Sequence, residues 1–97
     1  MPAYVVGTIE ITDPEAYRKY TAKTPAAIAR WGGRFVIRGA EPEVLEGELP
    51  ARRLVVIEFP DRATARAFYD SDEYQALIPL RQAASTGTLA LFEGFEE

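Results

Sequence analysis

Two hydrophobic periods alternate along the chain. One repeats every two residues, as a strand requires; the other repeats every three or four, as a helix face requires. Ala3 to Ile11 is rich in β-branched and aromatic residues and predicts a first strand. Thr12-Asp13-Pro14-Glu15 stops it. Asp13 suits an N-cap, Pro14 the first helical position, and Glu15 complements the helix dipole. The helix that follows carries Ala16, Tyr17, Tyr20, Thr24, Ala27, Ile28 and Trp31 on one face. Pro25 interrupts it, so a kink or a restart is expected there, with Thr24 as a second N-cap. Gly32-Gly33 ends it, because glycine tolerates the left-handed conformation common just past a helix.

Arg34 to Arg38 predicts a second strand, and Arg53 to Phe59 a third, the most apolar. Between them, Gly39 to Ala51 is polar and rich in proline and glutamate, and is expected to form a long connection of hairpin type with short extended arms. Asp61 can cap a helix running to about Asp70, with Ala65, Phe68 and Tyr69 as its buried stripe. Ser71-Asp72-Glu73 opens another short helix, along which Tyr74, Leu77, Ile78 and Arg81 are spaced; Pro79 bends it. Gly87 to Phe95 predicts the last strand. The order is βαββαβ, with the second helix broken in two.

A strand–helix–strand crossover within one sheet is right-handed. Two such units joined by a hairpin give an α+β, ferredoxin-like fold: a four-stranded antiparallel sheet with helices on one face. Strands one and three are expected at the centre, two and four at the edges. All 97 residues suit a single domain.

The two faces of this sheet can be separated by parity. Ala3, Val5, Gly7, Ile9 and Ile11, with Phe35, Ile37, Val55, Ile57 and Phe59, make one nearly apolar face, expected under the helices. The other face is not polar either. Val6, Val36, Leu54 and Val56 form an apolar centre ringed by Tyr4, Arg34, Arg38 and Glu58. Strand four is apolar on both faces and its facing stays open. No residues remain to cover the second face, and a large exposed apolar patch marks an interaction surface. The expected partner is a second copy about a two-fold axis, the two sheets packing face to face as an α/β barrel.

Composition narrows the chemistry. There is no cysteine and no histidine, which removes disulfides, thiolate metal sites, the usual zinc ligand and the usual general base. Two serines, Ser71 and Ser85, have no histidine to activate them. A net charge of −4 argues against nucleic acid. No apolar run reaches the roughly 20 residues that span a bilayer, and no basic amphipathic helix suggests membrane binding. Met1-Pro2-Ala3-Tyr4 lacks the basic, then apolar, pattern of a signal peptide, so a cytoplasmic chain is expected. Glu41, Glu43, Glu46 and Glu48 read as a solvated loop tip rather than a cation cage. No metal and no cofactor are expected.

The segments Gly32-Gly33-Arg34-Phe35-Val36-Ile37-Arg38-Gly39, Leu45-Glu46-Gly47 and Arg53 to Pro60 resemble domain-of-unknown-function family thirteen-thirty. Ala67-Phe68-Tyr69, Ser71, Tyr74, Arg81 and Glu93-Gly94 continue the likeness along essentially the whole chain. Ala40 stands where a second glycine is expected, and Phe68 where a tryptophan is expected. The resemblance implies the dimeric α/β-barrel superfamily, which pairs ferredoxin-like sheets, and implies no particular reaction.

Arg34, Arg38 and Glu58 are the most informative polar residues, because parity puts them on the second, otherwise apolar face. If Val36 pairs with Val56, Arg34 lies opposite Glu58 and Arg38 opposite Leu54. Arg34–Glu58 then reads as a cross-strand ion pair that fixes register, leaving Arg38 to hold an anionic oxygen. The candidate ligand-binding residues are Arg34, Arg38, Arg81 and Tyr69. If there is catalysis, Glu58 is the candidate acid or base, with Arg38 and Tyr4 as electrostatic stabilisers. Three functions are compatible with this: a homodimer binding a small acidic or aromatic molecule, a cofactor-independent oxygenase or isomerase, and a non-catalytic structural dimer.

Overall fold

A computed structural model of the chain describes residues 1–49 and 53–95. The elements are β1 (Ala3–Ile11), α1 (Pro14–Thr21), α2 (Thr24–Arg30), β2 (Arg34–Arg38), β3 (Arg53–Phe59), α3 (Arg62–Asp70), α4 (Asp72–Gln75), α5 (Ile78–Ala84) and β4 (Ser85–Glu93). The strands form one antiparallel sheet in the order β2-β3-β1-β4, with β1 and β3 central. This is the ferredoxin-like α+β arrangement expected from the pattern.

Local chemistry sets most boundaries. Asp13 is extended and accepts a hydrogen bond from the Ala16 backbone N–H at 3.1 Å, opening α1. Asp61 does the same for α3, accepting from the Thr64 N–H at 2.7 Å. That bond holds the Asp61 carboxyl below its usual range. The Ser71 hydroxyl caps α4, accepting from the Tyr74 N–H at 3.2 Å. Gly32 takes φ of 74° just past α2, which an L side chain would resist.

Three boundaries differ from the sequence expectation. Thr24 is not an N-cap: Ala22 and Lys23 stay in the right-handed helical region, so Thr24 is already inside α2 and its side chain is buried. An N-cap needs an extended backbone, which this short link does not give. The connection after β2 carries no strand among its described residues, 39–49, where an extended arm was expected; Ala51 lies outside the described residues. The last strand runs Ser85–Glu93 rather than Gly87 to Phe95, because β1 pairs with it from Ala3 opposite Glu93 to Ile11 opposite Ser85. Gly87 sits inside it at φ of 147°, close against the Thr8 backbone.

The helices cover one face only. Ala3, Val5, Ile57 and Phe59 from the sheet pack against Ala27, Ile28, Ala65, Phe68, Tyr74 and Leu77. Phe68 is the hinge of this core, with ring centroids 5.0 Å from Phe59 and 4.7 Å from Tyr74. The register also settles β4: Leu89 and Leu91 pair with Gly7 and Val5 and face the helices, while Thr88, Ala90 and Phe92 face the open side.

One irregularity changes the assignment of a key residue. β2 and β3 pair regularly at Arg34↔Glu58 and Phe35↔Ile57, then slip to Ile37↔Val56 and Arg38↔Val55. Val36 is the extra residue of a β-bulge. Edge strands accommodate bulges because only one side is bonded. Residues opposite one another in a sheet share a face, so the expected Val36–Val56 and Arg38–Leu54 pairings are replaced. Ile37 joins Val56 on the open face, at 37% exposed, and Arg38 crosses to the helix side.

Phe68→Ala should lower unfolding stability by about 3–5 kcal/mol, the usual cost of emptying a large aromatic site. Arg66→Ala, which removes an exposed pair with Asp70, should cost less than about 1 kcal/mol. Urea melts of the two variants check the ranking; equal losses would displace Phe68 from the centre of the core.

Candidate functional site

The recess lies between the helices and the covered face of the sheet. Its floor comes from Val5, Gly7 and Ile9 of β1 with Val55 and Ile57 of β3. Its roof comes from Tyr17, Tyr20 and Thr21 of α1, Ile28 of α2, Phe68 of α3 and Tyr74 of α4. Three arginines reach it from three elements: Arg38 from β2, Arg53 from β3 and Arg81 from α5. No carboxylate lines it among the described residues. In a chain of net charge −4 that separation is informative.

Among the described residues, none of the three has an acidic partner. The bulge places Arg38 on the helix side of the sheet edge, where the residue stays exposed and its guanidinium carbon stacks 4.4 Å from the Phe35 ring centroid. Its Nη2 donates weakly to the Thr21 carbonyl at 3.4 Å. Arg53 sits on the covered face by parity, opposite Ile9, with its guanidinium carbon 5.4 Å from the Tyr17 ring centroid. Gly39, at φ of 70°, leaves room for the Arg53 side chain, which a Cβ at that position would strike. The Nε atoms of Arg53 and Arg81 are buried and have no hydrogen-bond partner among the described residues. The ion pairs among the described residues engage Arg30, Arg34, Arg62 and Arg66 instead.

Deeper in, the Tyr20 and Tyr74 hydroxyls are hydrogen-bonded at 2.7 Å. Burial pushes both phenols above their ordinary ionisation range, so both stay protonated at neutral pH. The nearby Arg81 charge pulls each partly back. The free hollow is about 30 Å³, room for little more than water. Arg53 also lines a surface groove with Gly39 and Glu41, so it stands at the mouth. The Arg38 and Arg53 side chains at this mouth lie over ring faces, and Arg38 adds one weak hydrogen bond.

The residues singled out from the sequence separate into three places. Arg38 and Arg81 line the recess. Arg34 and Glu58 are opposite each other on the open face and form an ion pair, with Nη2 to Oε2 at 3.1 Å. Tyr4 is also on that face, opposite Glu58 and Phe92. Tyr69 lines a second, shallower hollow with Ala65, Arg66 and Leu91, its ring 5.7 Å from that of Tyr74. Glu58, Arg38 and Tyr4 therefore do not converge: the bulge puts Arg38 on the opposite side of the sheet. Arg53 was missed, although parity already placed a charge on the apolar stripe of Val55, Ile57 and Phe59. The Tyr20–Tyr74 contact had no sequence signal beyond two tyrosines on helix faces. No group of three or more metal-binding side chains occurs among the described residues. Among the same residues, no helix is long and apolar enough to cross a membrane.

Fold and site together define a ferredoxin-like α+β protein with an arginine- and tyrosine-lined recess beneath its helices. The chain belongs to the family described as Domain of unknown function (DUF1330), whose model matches residues 2–95. No curated protein matches it in sequence. Among solved structures it is similar to a protein of unknown function from Rhodopseudomonas palustris. That match has 20% identity and a TM-score of 0.78, covering 99% of this chain and 84% of that one. It is similar to SnoaB, a cofactor-independent oxygenase from Streptomyces nogalater, at 20% identity and TM-score 0.65, covering 99% and 95%. A dimeric ferredoxin-like protein of unknown function from Jannaschia sp. CCS1 is similar at 12% identity and TM-score 0.71, covering 97% and 100%. At such identities the likeness establishes a common fold.

The buried tyrosines give a pH dependence with a definite sign. The unfolded chain ionises its tyrosines near the ordinary value of 10.0, while Tyr20 and Tyr74 stay protonated in the fold. Their contribution is whole below pH 10 and falls as pH rises above it, by up to about 1.4 kcal/mol per pH unit for each phenol. Urea melts between pH 9 and 11 should show this slope in wild type and a flatter one in Tyr20→Phe/Tyr74→Phe. Identical slopes would mean the two phenols ionise freely in the fold.

Proposed function

We propose that the protein is a homodimer that binds a small organic anion, with a flat or aromatic body, in the recess beneath its helices. The observation that carries this is the convergence of Arg38, Arg53 and Arg81 on an apolar, aromatic hollow whose described lining holds no carboxylate. The buried Nε donors of Arg53 and Arg81, unpartnered among the described residues, are costly to leave unmet, and a bound carboxylate or other oxyanion supplies an acceptor. The surrounding Tyr17, Phe35 and Phe68 rings suit an apolar ligand body, as ligand sites generally combine apolar walls with a few placed polar groups.

Binding without turnover accounts better for the residues than catalysis does. An isomerase that carries a proton from one substrate atom to another needs a positioned side chain to hold it. The recess lining offers none among the described residues, and Glu58 is on the other face, engaged by Arg34. A purely structural dimer would leave the inward arginines without a role.

Dimerisation through the open face rests on Val6, Ile37, Leu54, Val56 and Ala90. These make a continuous apolar strip across all four strands, and all five helices lie on the other side. Two such faces packed together would close the barrel typical of this superfamily.

Titration with benzoate, followed by thermal shift, tests the pocket; a ligand that binds only the folded state raises the melting temperature. Benzoate should stabilise wild type and benzamide should not. Arg38→Ala should abolish the benzoate shift while costing little stability. Arg34→Ala should keep the shift but lose about 1–3 kcal/mol, because Glu58 is left unpaired in a partly buried place. The anion-site reading fails if Arg38→Ala responds like wild type. Val56→Asp should yield monomers in sedimentation, since a buried unpaired carboxylate opposes the interface. A wild-type monomer at micromolar concentration would overturn the dimer.

A further inference from the structure

We propose that Tyr20, Tyr74 and Arg81 form the oxygen-recognising end of the recess and that they take a weakly acidic oxygen, that of a phenol or enol, as its anion. This rests on the anion-binding reading above and specifies its ligand.

The inference begins with a count of protons. Two phenol hydroxyls 2.7 Å apart own two protons. One lies in the bond they share; the other is a donor with no partner among the described residues. Arg81 adds a second unmet donor, its buried Nε. Tyr20, Tyr74 and Arg81 come from α1, α4 and α5, and the Arg81 charge acts on both hydroxyls. Val5, Ile28 and Phe68 close the recess around them with apolar surface. Such an end satisfies an acceptor, and a single oxygen bearing negative charge satisfies it best.

The protonation of the site fixes the ligand's own state. The charged groups around the dyad are Arg38, Arg53 and Arg81, all cationic; the other titratable ones are Tyr17 and Tyr69. Both dyad phenols are held protonated by burial, so neither accepts a proton from a ligand. The oxyanion is therefore favoured over the neutral acid, and a weak oxygen acid loses its proton to solvent water as it binds. Its acidity rises in the complex by the ratio of the two affinities. A carboxylic acid is already ionised at neutral pH and gains nothing further, which separates the two ligand classes experimentally.

The probe is 4-nitrophenol, whose anion alone is yellow. In buffer one pH unit below its free ionisation midpoint, adding wild-type protein should raise the anion band about fivefold at saturation, a shift of about one unit. Tyr20→Phe/Tyr74→Phe keeps the rings and removes both hydroxyls. It should lose most of that rise yet still be stabilised by benzoate through the remaining arginines. Tyr74→Phe alone, with one hydroxyl left, should give an intermediate rise, and it serves if the double variant does not fold. Wild type that is stabilised by benzoate but leaves the anion band unchanged overturns this proposal and spares the anion site. A full rise in the folded double variant also overturns it. Failure of both benzoate and 4-nitrophenol to bind overturns the anion site itself.

Discussion

Side chains alternate across a strand, so each residue of a four-stranded sheet is committed to one of two faces. Everything else in this protein depends on that commitment and on its single interruption. All five helices lie on one side, which makes the odd-numbered face of β1 and β3 a core and leaves the even-numbered face uncovered. The bulge at Val36 reverses the parity of the end of β2. It moves Ile37 to the uncovered side, where an apolar residue strengthens the strip around Val56. It moves Arg38 to the covered side, where a cation stands among aromatic rings. One inserted residue in an edge strand therefore sharpens both faces at once.

The electrostatics follow from this partition. The acidic residues of the chain are spent at its rim: Glu41, Glu43, Glu46 and Glu48 are exposed in the long connection, Asp13 and Asp61 cap helices, and Glu58 and Glu73 pair with Arg34 and Arg30. Of the cations that line the recess, Arg38 and Arg53 lie over ring faces, and Arg38 also meets one backbone carbonyl. Those contacts are weaker than an ion pair and leave donors unmet at Arg53 and Arg81. A protein that needed these arginines only for folding would gain by pairing them, since unmet buried donors are costly. Tyr20 and Tyr74 remain neutral because burial outweighs the pull of the Arg81 charge.

Solved structures to which this chain is similar share its fold at 12–20% identity. A two-period pattern with its turns can be satisfied by many side-chain sets. Site chemistry is not carried by the pattern, so each member's recess must be read from its own residues.

Much of the structure was legible in the sequence because its causes are local. Asp13, Asp61 and Ser71 cap helices through bonds to residues three positions away, and Gly32 ends one through its own φ. Strand periodicity gave the sheet order, the covered face and the Arg34–Glu58 pair. The family likeness was carried by the same runs of residues. What the sequence could not determine depends on partners distant along the chain. Whether Thr24 caps or continues a helix turned on the helical backbone of Ala22 and Lys23. The side chosen by Arg38 turned on how an edge strand slips against β3, an outcome no residue of β2 encodes alone. The Tyr20–Tyr74 bond joins residues 54 positions apart through three packed helices. Local propensity fixed the elements; only packing, which trades burial against register, decided which charges and hydroxyls meet beneath them.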